Sequence, residues 1–271
     1  MDETVRDALV RAAAALERLA PPPVAEADAR QTKAMRWTGR HLLAVPPAPV
    51  VPLARFVGVD QQIAALERNL ASLAAGRAAH DMLLWGARGM GKSAMVRALA
   101  QKTGVALVEA SAADLATLPD LFARLSGAPG PFLLFVDDIA FEPHDPAIRA
   151  LRSLLDGGVA ARPEHTRLAV TSNHRHLAGR PADDTAARHA RDLEHDQLAL
   201  ADRFGLVLGF HQPGQADYLE MCARYLAAEG LALDETEALA FALARGGRSG
   251  RTAWHYRVEV LTRCGGGSSC R

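Results

Sequence analysis

An α/β fold is predicted, with a five-stranded parallel sheet flanked by helices and then a small all-helical domain, on three features of the 271-residue sequence. Short apolar runs alternate with amphipathic helical stretches between residues 60 and 210, the pattern of parallel strands joined by crossover helices. A glycine-rich turn, Gly86-Ala87-Arg88-Gly89-Met90-Gly91-Lys92-Ser93, sits between one such run and a helix. After Pro213 the strands stop, and helical periodicity continues alone.

Composition sets the bounds. With 49% apolar and 23% charged residues the chain is globular, and its length gives one large domain or two smaller ones a sizeable core. Lys+Arg and Asp+Glu both number 31, so bulk charge selects neither nucleic acid nor an anionic membrane as partner. Cys222, Cys264 and Cys270 are an odd, sparse set with no C-x-x-C pair, which argues against both a disulfide framework and a zinc site. No apolar run approaches the ~20 residues of a membrane span. Met1-Asp2-Glu3 opens acidic and no signal-peptide pattern follows, so a cytoplasmic location is expected.

The elements follow in order. Val5, Leu9, Ala12, Leu16 and Leu19 fall at helical spacing, giving a helix over 4–19 that Pro21-Pro22-Pro23 stops. Residues 24–36 are polar, with helix as one reading. Trp37 stands alone in a basic context and reads as satellite packing, with partner binding as the alternative. Pro46, Pro47, Pro49 and Pro52 read as a stiff linker, so 1–52 form an N-terminal helix plus linker. The α/β domain spans 53–212. Ile63, Leu66, Leu70 and Leu73 mark a helix over 60–74, and strands are expected at 81–85, 105–109, 131–136, 167–171 and 206–210. Asp145 and Pro146 read as N-cap and first residue of a helix that Gly157-Gly158 ends. A polar stretch over 178–197 precedes a short helix at 198–204. Helices at 214–229, 234–245 and 250–262 make a second domain over 213–263, supported by Leu219, Ala223, Leu226, Leu239 and Leu243. Residues 264–271 read as a flexible tail.

The turn at 86–93 fits G-x-x-x-x-G-K-[ST], the phosphate-binding P-loop, and its strand and helix supply the required context. Glycines let successive backbone N–H groups converge on an anion, and the following helix aims its positive end at the same spot. Gly86, Ala87, Arg88, Gly89, Met90, Gly91, Lys92 and Ser93, with Ala94 after them, are the candidate phosphate-binding set. Lys92 supplies a charge for the β- and γ-phosphates, and the Ser93 hydroxyl a ligand for Mg²⁺. The strand at 131–136 ends in Asp137-Asp138, beside the loop if the sheet binds ligand at its carboxyl ends. Asp137 is then the acid for the Mg²⁺ shell. His174, His176, His189 and His195 read as part of a solvated loop rather than a metal site.

With these motifs in this order, the sequence over about 55–262 resembles the AAA+ ATPase superfamily, and more closely an uncharacterised bacterial family of predicted AAA+ ATPases. That closer resemblance lies in 84–93, 135–142, 171–177 and 201–210. It implies a P-loop NTPase. Phe56-Val57-Gly58 with Ile63 looks like the segment lying over adenine, so Val57 and Gly58 join the ATP-binding set. Residues 86–93 look like Walker A and 133–138 like Walker B. Asn173 matches the sensor-1 residue, Arg203 the arginine finger that reaches a neighbouring subunit, and Arg251 the sensor-2 arginine, with Arg248 as its substitute. The implied unit is a homo-oligomer whose catalytic residues are Lys92, Asp138, Asn173, Arg203 and Arg251. The sequence departs from the superfamily at Walker B, where Asp138 replaces the usual Glu; Glu142 is the alternative group to polarise water.

Three functions compete. The first is an ATP-hydrolysing remodeller of a protein client; the region 110–114 lacks the aromatic of peptide-threading pore loops. The second is a nucleic-acid loader, for which Arg162, Arg167, Arg175, Arg180, Arg188 and Arg191 are candidates diluted by nearby acids. The third is a nucleotide-gated binding module with little hydrolysis.

Overall fold

The computed structural model describes residues 3–19, 25–46, 48–140, 146–157, 162–173 and 199–265. Readings that fall on Glu142, Asp145, Gly158, the histidines and arginines between 174 and 198, and the tail beyond 265 lie outside these residues. In chain order the elements are α1 (Glu3–Leu19), β1 (Ala34–Trp37), β2 (Leu42–Ala44), α2 (Asp60–Ala74), β3 (Met82–Gly86), α3 (Lys92–Thr103), β4 (Ala106–Ala110) and α4 (Leu118–Ser126). They continue with β5 (Phe132–Val136), α5 (Pro146–Leu155), β6 (Thr166–Ser172), β7 (Leu206–Phe210), α6 (Gln215–Ala227), α7 (Glu235–Ala244) and α8 (Gly250–Gly265).

Among the described residues the strands form one seven-stranded sheet in the order β2-β1-β4-β5-β6-β3-β7. Five of them, β4-β5-β6-β3-β7, are the strands expected from the sequence, and they pair in parallel. The sheet is larger than the expected five because a hairpin adds to it. β1 pairs parallel with β4, and β2 pairs antiparallel with β1. The stretch 24–36, for which helix was one reading, therefore ends in a strand.

Sequence periodicity misses β1 because four residues hold only two alternations. Met35 and Trp37 point inward and Arg36 outward. Trp37 is 1% exposed, so it belongs to a main cluster and not to a satellite. Its indole N–H donates to Thr117 Oγ1 at 2.8 Å, and the Arg124 guanidinium lies over its ring at 5.4 Å. Removing this side chain opens a large cavity. Trp37→Ala is therefore expected to lower unfolding free energy by about 3–5 kcal/mol, read as a lower urea midpoint with unchanged slope. A loss under about 1 kcal/mol would place the hairpin outside the cooperative unit.

The sheet separates two clusters, and the pleat decides which side chain enters which. In β5 every residue is buried. Leu133 and Phe135 face α2 and α3, while Phe132, Leu134 and Val136 face α4 and α5. A strand buried on both faces reads as a continuous apolar run, which is why this one was legible. The last three helices continue the α2/α3 cluster. Tyr218, Met221, Cys222 and Leu226 of α6 pack with Ala238 and Ala242 of α7 and with Ala253 and Tyr256 of α8. Leu243, expected on the apolar face, is 84% exposed instead, since Ala238 and Ala242 take the buried side of α7.

Candidate nucleotide site

The site is built at the carboxyl end of β3, inside the sheet between β6 and β7. Gly86 ends the strand with φ 125°, and a Cβ there would lie 2.1 Å from the Phe210 carbonyl oxygen. Only glycine fits, and the chain turns away with the Ala87 N–H donating to that same oxygen at 2.8 Å. Gly91 caps α3 in the left-handed region at φ 86°, where a Cβ would meet the Phe56 ring at 2.6 Å. These turns leave the first backbone N–H groups of α3 directed at the cleft.

Lys92 is 5% exposed. Its ammonium donates to the carbonyls of Gly86 and Ala87 and to Asn173 Oδ1, each at 2.9 Å, which uses its three donors. Burial lowers its pKa to about 8; Asp138 and Asp137 oppose that shift, and Arg88 and Arg251 add to it.

The two acids stand next to it. Asp137 Oδ1 accepts from Ser93 Oγ and from Thr171 Oγ1, both at 2.5 Å. Asp138 has φ 56°, the only positive value outside glycine among the described residues. Aspartate tolerates this region better than most residues, and the conformation still costs of order 1–3 kcal/mol. It is held by the Asp138 N–H donating to Thr171 Oγ1 at 2.8 Å and the Ile139 N–H to the Thr171 carbonyl at 2.9 Å. The turn interrupts strand alternation, so consecutive carboxylates both line the cleft. Asn173 donates from Nδ2 to Asp138 Oδ1 and so bridges the general-base candidate to Lys92.

The helices after β7 roof the loop. The Arg251 N–H, in the first turn of α8, donates to the Gly89 carbonyl at 3.0 Å. Arg224 on α6 donates from Nη1 to the carbonyls of Ala54 and Phe56 at 2.8 and 3.0 Å. The resulting cleft holds about 880 Å³.

Of the residues singled out in the sequence, Val57, Arg88, Gly89, Met90, Gly91, Lys92, Ser93, Ala94, Asp137, Asp138, Asn173 and Arg251 line this cleft. Arg248 does not, so of these two arginines Arg251 is the one that faces it. Gly86, Ala87 and Gly58 are not among the residues that line it. A Cβ on Gly58 would lie 3.4 Å from the Asp217 carboxylate, and the φ of 71° there suits glycine. Arg203 is elsewhere: its Nε donates to Asp156 Oδ1 at 2.5 Å and its Nη1 to the Ala199 carbonyl. The hydrogen bond and charge of Asp156 push its pKa further up, so it stays cationic.

Sequence reasoning missed several lining residues. Thr171, near the end of β6, lies two residues before Asn173, which follows the strand, and that spacing was the available signal. Pro49, Val50, Val51 and Pro52, read as linker, form a wall of the cleft, as do Tyr225 and Trp254 from α6 and α8. No short motif marks them.

The residues present suit a Mg²⁺-nucleotide. Ser93 and Asp137 offer hard oxygen donors side by side, and a buried ammonium sits at the mouth of a helix N-terminus. Among the described residues no three His, Cys, Asp or Glu side chains gather as a metal cage. Magnesium at phosphate sites needs only one or two protein ligands beside phosphate and water.

A mostly parallel sheet with this loop, paired acids two strands away and helices packed over the loop define a P-loop NTPase fold. The structure is similar to the Thermotoga maritima RuvB Holliday junction branch migration motor, with TM-score 0.56 and 19% identity over 83% of this chain and 68% of that one. Two single-residue variants of that motor each give TM-score 0.57 and 19% identity over 83% of this chain, covering 68% and 69% of theirs. The likeness at such identity is one of fold. No curated protein matches the chain in sequence. A family model described as "Protein of unknown function (DUF815)" matches residues 30–264, and the chain belongs to that family. Among the described residues no helix is long and apolar enough to cross a membrane.

Proposed function

We propose that this protein binds ATP with Mg²⁺ and hydrolyses it to ADP and phosphate, driving conformational change in a cytoplasmic homo-oligomer that remodels a protein client. One observation carries the reading: Lys92, Ser93, Asp137, Asp138 and Asn173 converge on one glycine loop, with Arg251 above it. Each has a defined task. The loop N–H groups and Lys92 hold the phosphates, and Lys92 exchanges its carbonyl partners for phosphate oxygens. Ser93 and Asp137 hold the Mg²⁺, which supplies charge neutralisation at the β- and γ-phosphates. Asp138 takes the proton of the attacking water, which Asn173 orients. Arg251 reports on the γ-phosphate from the lid, and its backbone contact to Gly89 joins lid and loop. The segment 49–57 and Trp254 offer apolar surface to the base.

The fold likeness to a branch migration motor favours a second reading, action on nucleic acid. Two described basic candidates count against it. Arg162 is paired with Asp81 at 2.8 Å, and Arg167 donates to the carbonyls of Ala79, Glu164 and Thr166. Binding to DNA that weakens with salt would support that reading.

Steady-state phosphate release tests the first. Wild-type protein with ATP and Mg²⁺ is expected to turn over above a Lys92→Ala background. Equal rates in the two, with ATP still bound by wild type, would leave a nucleotide-gated binding module in place of an enzyme.

A further inference from the structure

We propose that Arg97 and Glu109 are a positioning pair for the metal acid: Glu109 holds the Arg97 guanidinium off Asp137, and this separation sets how strongly Asp137 binds a divalent cation. The proposal rests on reading Ser93 and Asp137 as the Mg²⁺ ligands. Ser93 and Arg97 lie one turn apart on α3, so both side chains reach the same strand ends. They meet different oxygens of one carboxylate. Oδ1 accepts from Ser93 and Thr171 at 2.5 Å, while Oδ2 faces Arg97 Nη2 at 3.5 Å, a long contact for an ion pair.

The guanidinium is anchored away from that contact. Arg97 Nε donates to Glu109 Oε1 at 2.7 Å, and its Cζ lies 5.3 Å from the centre of the Phe135 ring. Glu109 and Phe135 are paired in the β4–β5 register, so the sheet and not a loop sets the anchor. All three charged groups are a quarter to two-fifths exposed, with side-chain values of 33% for Arg97, 27% for Glu109 and 38% for Asp137. Without the Glu109 charge, the Arg97 cation is free to close on Asp137 Oδ2 as a short ion pair. A divalent cation must then displace it.

Mn²⁺ serves as the probe, its free concentration read by electron paramagnetic resonance in the presence of a non-hydrolysable ATP analogue. Glu109→Gln is expected to weaken Mn²⁺ binding about tenfold, the lower end for groups that orient metal ligands. Arg97→Met, alone or combined with Glu109→Gln, is expected to bind Mn²⁺ at least as tightly as wild type. Analogue binding in EDTA is expected to be the same in all of them. Rescue by the double variant separates this role from simple loss of packing. Arg97→Lys keeps the charge but loses the planar fork, so weaker Mn²⁺ binding is expected and gives a second measurement if Glu109→Gln fails to fold. Unaltered Mn²⁺ binding in Glu109→Gln or Arg97→Lys, or a double variant as weak as Glu109→Gln, overturns the proposal. In those cases the wild type still binds analogue with Mn²⁺, and the reading of Ser93 and Asp137 stands. Wild type that binds the analogue in the presence of Mn²⁺ but takes up no Mn²⁺ with it overturns both.

Discussion

Asp138→Asn is expected to lower the rate of ATP hydrolysis by about 10²–10⁴-fold, the range for loss of a general base. The amide is nearly isosteric with the carboxylate but accepts no proton from water at neutral pH. Asparagine also tolerates the left-handed backbone that this position requires, φ 56°, so the turn and its bond to Thr171 are retained. Asp137, Ser93 and Lys92 keep their contacts, so ATP affinity is expected to change little. Single-turnover hydrolysis with equilibrium ATP binding reads both quantities. A rate within about threefold of wild type would move the base to Glu142, since so small a change is not the loss of a proton acceptor. The same variant holds ATP in place, which makes it the form for capturing a client and counting subunits.

The sequence was informative where physics acts over short range. Residues 60–74 carry a full amphipathic helix, and the helix found there is Asp60–Ala74. The fully buried β5 announced itself as FLLFV, and the loop at 86–93 by a spacing that serves one kind of ligand. Other features depended on distant partners. The β1–β2 hairpin is short and gains its stability from pairing with β4 and from burying Trp37 under Arg124. The segment 49–52 looks like a spacer until α6 and α8 close the cleft opposite it. Thr171 is an ordinary strand residue in the sequence. Only the fold reveals that its hydroxyl touches both Asp137 and the Asp138 N–H. Arg97 and Glu109 likewise become a pair only when β4 lies beside β5 and α3 packs over both.

Arg203→Ala is expected to lower the hydrolysis rate by about 10³-fold, at the lower end for an arginine supplied in trans, with little change in ATP affinity. Arg203 does not line the cleft of its own chain. It is held on the surface by Asp156 and the Ala199 carbonyl, which leaves part of its donor fork turned outward. An arginine fixed by an acid is pre-set in direction, and it contributes to catalysis only if a second copy brings its own nucleotide loop to it. Mixing tests this directly. Arg203→Ala subunits keep Asp138, and Asp138→Asn subunits keep Arg203, so an interface joining them in one orientation is complete. Random equimolar assembly makes about a quarter of the interfaces complete, and a recovery of that order is expected from two inactive parents. A mixture no more active than its parents would mean that Arg203 acts within its own chain. Arg203→Ala with wild-type rates would reduce it to a surface ion pair with Asp156.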